Sequence, residues 1–209
     1  MTLLAELQVG GDTEPWRAIG LHIVDDRAVV GGVRLRFVGE EPGLRGWTLA
    51  DLPTSFVGGR IDGVPTATGE APGSLGEGHL LHVLGTDHVV VNTSSLERTC
   101  GAIEAATGAP LKRIREAGAI RQGFHRWGGV IVEVVESPQI TATVASLWGL
   151  VWVVSDLDEV CSRLGSELLS APRSAVQQGR SIASFRSAAG LGVPVALMTG
   201  DPRAGGSRP

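Results

Sequence analysis

"DHVVVNTSSLERTCGAI", residues 87–103, has a second version, "WGLVWVVSDLDEVCSRL", residues 148–164, at a constant offset without a gap (148 − 87 = 61). Val90 matches Val151, Ser94 matches Ser155, Leu96 matches Leu157 and Cys100 matches Cys161; Glu97 meets Asp158 and Ile103 meets Leu164. Each copy reads as an apolar strand running straight into a helix. Ser94 with Glu97 fits a capping box, in which the hydroxyl takes an early helix amide and the acid returns to the cap amide; Ser155 with Asp158 is the shorter counterpart. Leu96, Cys100 and Ile103 recur at helical spacing, as do Leu157, Cys161 and Leu164. Gly108 and Gly165 mark the helix ends, with Pro110 just beyond the first.

Outward from this pair the repeat continues. "GGVIVEVVE" from Gly128 matches "LGVPVALMT" from Leu191 (191 − 128 = 63). Between helix and closing strand lie two more strand candidates per copy, "LKRIREAG" and "IRQGFHRW", then "SAPRSAVQ" and "RSIASFRS". Each copy is therefore β-α-β-β-β. A third echo, "GGVRLRFVG" from Gly31 (128 − 31 = 97), follows the strand candidates "LLAELQVG" and "WRAIGLHIV" and suggests three strands of such a module without its first strand and helix. The expected organisation is a strand-rich region with a Gly/Pro-rich connector over residues 1–78, modules over 79–138 and 139–200, and a disordered tail over 201–209.

The chain has 209 residues, 43% apolar and 19% charged, with 30 glycines, 11 prolines and a net charge of −4. Its size can bury a substantial core. No cluster of Lys and Arg marks a nucleic-acid binder. No apolar run approaches the roughly 20 residues of a membrane span, and "MTLLAELQ" lacks the cationic start of a signal peptide. Two cysteines make no disulfide framework. A soluble cytoplasmic protein is expected, with no nucleic-acid or membrane partner.

Paired β-α-β-β-β modules, with "DHVVVNTSSLE" opening one and "GGVIVEVVE" closing it, resemble the vicinal oxygen chelate superfamily, which includes glyoxalase-like, bleomycin-resistance-like and extradiol-dioxygenase proteins. The resemblance covers about Gly85 to Thr199; the N-terminal part joins it only through its strand echo. It implies an α+β fold: two tandem modules forming a curved sheet around a cleft, and a strand-rich N-terminal appendage resembling a degenerate third module. It also implies a small molecule inside the cleft and metal ligands on the first and fourth strands of each module.

His88 and Glu133 stand at those two positions of the first module and are the candidate catalytic and metal-ligating residues. An imidazole and a carboxylate suit divalent Zn, Ni, Mn or Fe, leaving open positions for substrate oxygens. The second copy has Gly149 and Ala196 there, and the N-terminal echo has Arg36 in place of Glu133 (133 − 97 = 36). Catalytic sites use about three protein ligands, so the cofactor expectation is one divalent ion or none. His22, Gln122, His125, Glu136 or a second subunit are the remaining candidate donors, and a homodimer is considered for that reason.

Arg121, Gln122 and His125 form a polar cluster on a central strand, and Trp148 and Trp152 share a face at even spacing; these five are the candidate ligand-binding residues. Their ordinary alternatives are exposed strand polarity and core packing. Cys100 and Cys161 read as buried small hydrophobes. Two functions fit: a glyoxalase-like, metal-assisted lyase or isomerase using His88 and Glu133, and a metal-free protein that binds or sequesters an antibiotic-like molecule, as bleomycin-resistance proteins do. Metal-free acid–base catalysis by the same pair is a third.

Overall fold

The computed structural model describes residues 1–56, 58–74, 76 and 78–201. The expected disordered tail lies outside the described residues, apart from Asp201. The first module runs β7 (Val83–Thr93), α2 (Leu96–Thr107), β8 (Arg113–Ala117), β9 (Ile120–Trp127) and β10 (Val130–Glu136). The second runs β11 (Ser146–Val154), α3 (Leu157–Leu168), β12 (Arg173–Ser174), β13 (Ser181–Ser184) and β14 (Val195–Thr199). Together they form one eight-stranded sheet in the order β12-β13-β14-β11-β7-β10-β9-β8.

The sequence repeat is a structural repeat. β7 and β11 run antiparallel at the centre, pairing His88 with Val151 and Val90 with Gly149. Adding 61 turns each of those pairs into the other (88 + 61 = 149; 90 + 61 = 151), as an internal two-fold relation requires. The closing strands agree: Glu133 pairs with Val90, and Ala196 with Val151. Residues of the two edge strands, β8 and β12, line one cavity, so the sheet is curled.

The helices begin one residue later than the repeat suggests. Ser95, not Ser94, caps α2, accepting from the Arg98 amide at 3.3 Å, and Asp156 caps α3, accepting from Glu159 at 2.9 Å. Ser94 instead donates to the Ala142 carbonyl. Gly108 ends α2 in the left-handed conformation at φ 68°, as expected. Gly165 breaks α3 internally, and a further turn follows it.

The appendage forms a sheet of its own. Its elements are β1 (Leu3–Gly10), α1 (Glu14–Ala18), β2 (Arg27–Val30), β3 (Val33–Phe37), β4 (Gly43–Ala50), β5 (Gly59–Ile61) and β6 (Val64–Thr68), in the order β2-β3-β1-β4-β6-β5. β1 lies parallel to β3 and β4 parallel to β6, as opening and closing strands do in the complete modules. The degenerate unit therefore keeps its opening strand, β1, and a second shortened unit follows it. "WRAIGLHIV", expected as a strand, supplies part of α1 instead. Pro15 in the first turn presets helical φ, and the Asp12 carboxylate takes the Glu14 amide at 2.9 Å.

One apolar core joins both sheets. Trp16 meets Trp152 edge to face at 6.3 Å, and Trp47 meets Trp127 at 4.9 Å. A smaller cluster of Val151, Ala196 and Met198 floors the cleft. No helix among the described residues is long and apolar enough to cross a membrane.

Candidate functional site

β7 carries a bulge where the site begins. His88 pairs with Val151 and Thr86 with Trp152, leaving Asp87 without a partner on β11. An extra residue of this kind re-aims its side chain. Asp87 Oδ2 lies 2.9 Å from His88 Nδ1, and Asp87 Oδ1 accepts from Arg180 Nη1 at 2.7 Å. Arg180 also donates through Nε to the Thr199 carbonyl at 2.7 Å. Burial pushes the Asp87 carboxyl up, but hydrogen bonds from His88 and Arg180, with their charges, outweigh it and hold it below the usual carboxylate range. An ionised carboxylate can only accept, so His88 presents an N–H from Nδ1 to Asp87 and aims Nε2 the other way. Nε2 lies 3.5 Å from Glu133 Oε2, and Gln122 donates to the other Glu133 oxygen. Both side chains keep a little exposure, 13% for His88 and 14% for Glu133.

This polar chain floors a cavity of about 310 Å³, also lined by Arg113, Arg115 and Arg173. A second cavity of about 480 Å³ shares His88, Gln122, Glu133 and Arg173 and continues onto Val135, Trp148, Leu150 and Phe185. The cleft thus passes from a cationic mouth, over an imidazole and a carboxylate, to an apolar end.

Of the ligand-binding candidates, Gln122 and Trp148 line the cleft. Three others do not. Trp152 is fully buried against Trp16, because an irregularity on β11 between Leu147 and Gly149 leaves Trp148 unpaired and breaks the alternation that would align the two. His125 is 1% exposed and donates from Nδ1 to the Ala109 carbonyl; burial lowers its pKa, against the pull of that bond. Arg121 reaches Glu97 at 2.6 Å and Glu136 at 3.4 Å on the helix side of β9. Glu136 in turn takes the Leu96 amide at 2.6 Å. Cys100 is buried, which pushes its thiol to about 11, while Cys161 is only partly buried.

The donor set falls short of a resident catalytic metal. His88 Nε2 and Glu133 Oε2 are spaced for one ion, since two bonds near 2.1 Å span about 3.5 Å at a near-tetrahedral angle. Among the described residues, however, no group of three or more His, Cys, Asp or Glu could hold a metal. The second module cannot restore a ligand: a Cβ at Gly149 would lie 2.5 Å from the Pro194 carbonyl oxygen. In the N-terminal sheet, Arg36 pairs with Gln8 as Glu133 pairs with Val90, which puts Glu6 where His88 stands. There Arg36 Nε donates to Glu6 Oε1 at 2.8 Å, so an ion pair fills the place.

Sequence reasoning passed over Asp87, Arg180 and the three mouth arginines. Arg113 and Arg115 were legible as alternate residues of one strand. Asp87 was not, because a bulge leaves no periodic mark.

No family model matches the chain, and no curated protein matches it. Solved structures do. A triple mutant of 4-hydroxymandelate synthase from Streptomyces coelicolor aligns over 99% of this chain and 94% of its own, at TM-score 0.66 and 12% identity. A methylmalonyl-CoA epimerase from Mycobacterium tuberculosis aligns over 61% of this chain and 95% of its own, at TM-score 0.50 and 19% identity. Both are vicinal oxygen chelate superfamily proteins. The chain has that fold. At these identities the likeness extends to the fold alone.

Asp87→Ala is expected to cost about 3 kcal/mol, because it strips the counter-ion from a guanidinium only 9% exposed. Adding Arg180→Met should restore part of the loss. Asp87 titrates lower folded than unfolded, so its contribution is full above the ordinary value of 3.8 and is lost as pH falls through the folded value. Denaturant melts should therefore show a gap between wild type and variant at about pH 7 that narrows toward about pH 2. A gap equally wide at both would contradict this account.

Proposed function

We propose that the cleft binds a small organic molecule, and that His88 and Glu133 move a proton at a carbon next to its carbonyl, an isomerase- or lyase-type reaction. The observation that carries this is the 3.5 Å approach of His88 Nε2 to Glu133 Oε2, with the imidazole fixed from behind by Asp87. An imidazole whose Nε2 lies at the cavity can take up and return a proton, and the ionised carboxylate behind it stabilises the imidazolium form. Glu133, held by Gln122, is the partner that exchanges the proton from its side. Gln122 keeps one amide hydrogen free after its bond to Glu133 and can donate to the oxygen where charge develops. The two-donor set supports no step through a metal ion.

A second reading is sequestration without chemistry. Trp148 favours it, being 50% exposed where it lines the apolar end of the cleft. Proton NMR in D2O, over a panel of small 2-oxo acids and acyl thioesters, separates the two. Exchange of the proton next to the carbonyl, faster than without protein, is expected for at least one compound. Saturable quenching of Trp148 fluorescence with no exchange across the panel selects sequestration. Absence of both overturns both.

A further inference from the structure

We infer that the cleft's ligand is an organic anion whose carboxylate or phosphate is held at the mouth by Arg113, Arg115 and Arg173. This deepens the reading of the cleft as a small-molecule site and rests on it. The chain as a whole is acidic, with 22 Asp and Glu against 18 Lys and Arg. Yet three arginines line one cavity from the two opposite edges of the sheet, two on β8 and one on β12.

Elsewhere some arginines find carboxylates, Arg36, Arg98, Arg121 and Arg180 among them, while others, such as Arg60 and Arg126, reach backbone carbonyls. Among the described residues, Arg113, Arg115 and Arg173 form no ion pair within 4.0 Å. The acids in the cleft are already engaged, Asp87 with Arg180 and Glu133 with Gln122. Arg113 lies over the Phe124 ring at 4.8 Å, a stacking that presets the guanidinium and leaves its N–H edge for a ligand. Like charges gathered in one cavity repel, and an oxyanion with several acceptor oxygens relieves that repulsion through charge-assisted bonds. Such a ligand would have its anionic end at the mouth, its reacting carbon beside His88 and Glu133, and an apolar body against Trp148.

Calorimetric titration with phenylacetate, phenyl phosphate and phenylacetamide tests this. At least one anion is expected to bind about tenfold or more tighter than the amide at low salt. That advantage should shrink between about 20 mM and about 200 mM NaCl. It should vanish in the Arg113→Gln/Arg173→Gln double variant, whose thermal melting shows that it is folded. Which anion leads identifies the group the mouth prefers. If the amide matches both anions, the anion inference falls and the small-molecule site stands. If none of the three binds, in a protein whose melting is normal, the site itself falls and the inference with it.

Discussion

Trp152→Ala is expected to destabilise the protein by about 3–5 kcal/mol, enough to lower its melting temperature by roughly 6–20 °C for a chain of this size. Trp152 has no solvent exposure and meets Trp16 edge to face, which meets Phe37 in the same way at 5.7 Å. Trp152 stands on β11 and Phe37 on β3, strands of different sheets bridged by Trp16 of α1, so the loss falls on the seam between them. The buried Trp152 indole N–H has no hydrogen-bond partner among the described residues. Trp152→Phe keeps a ring against Trp16 and removes that unpaired donor, so it should cost less than about half as much. Because one core spans both sheets, unfolding followed by circular dichroism and by tryptophan fluorescence should coincide in a single transition. A variant midpoint shifted by less than about 1 kcal/mol would show that the seam carries little stability.

Most of the paired-module fold was legible because the information was repeated. A strand alone is ambiguous, but "DHVVVNTSSLERTCGAI" and its copy agree at strand, cap and helix positions, and the offset of 61 reappears as the register of β7 on β11. The appendage was less legible because its two units had lost the features that identify a module. α1 has only five residues, and among the described residues no helix separates β4 from β5. What survives is parallel pairing between strands distant in sequence, which hydrophobic periodicity does not encode.

The candidate site was legible where the resemblance assigns strand positions and opaque where the chain departs from alternation. His88 and Glu133 stood at matched positions, and alternation placed Gln122 on the face opposite Arg121 and His125, as the structure does. Trp152 failed because an irregularity at Trp148 resets the faces of β11. Arg180 failed because its role depends on a partner 93 residues away. Arg173 lies on a two-residue strand that has almost no pattern to read.

Glu133→Gln and His88→Gln are each expected to slow proton exchange on a cleft ligand by about 10²–10⁴-fold, the range for removing a general acid or base. Ligand affinity should change far less, since the mouth arginines and the Trp148 end are untouched. Glu133→Gln keeps the shape and can still accept from Gln122 through its carbonyl oxygen, so a lost rate reports the missing carboxylate rather than a collapsed cavity. His88→Gln likewise keeps a polar side chain beside Asp87 while removing the imidazole. The double variant should be little slower than either single one, because residues that act as a unit are not additive. With only two donors aimed at a common point, the wild-type rate should survive treatment with EDTA. A rate abolished by EDTA and restored by Zn, Ni, Mn or Fe would mean that the pair are ligands of an ion completed by the substrate or a second subunit. Full rates in both single variants would instead leave the cleft as a binding site without acid–base chemistry.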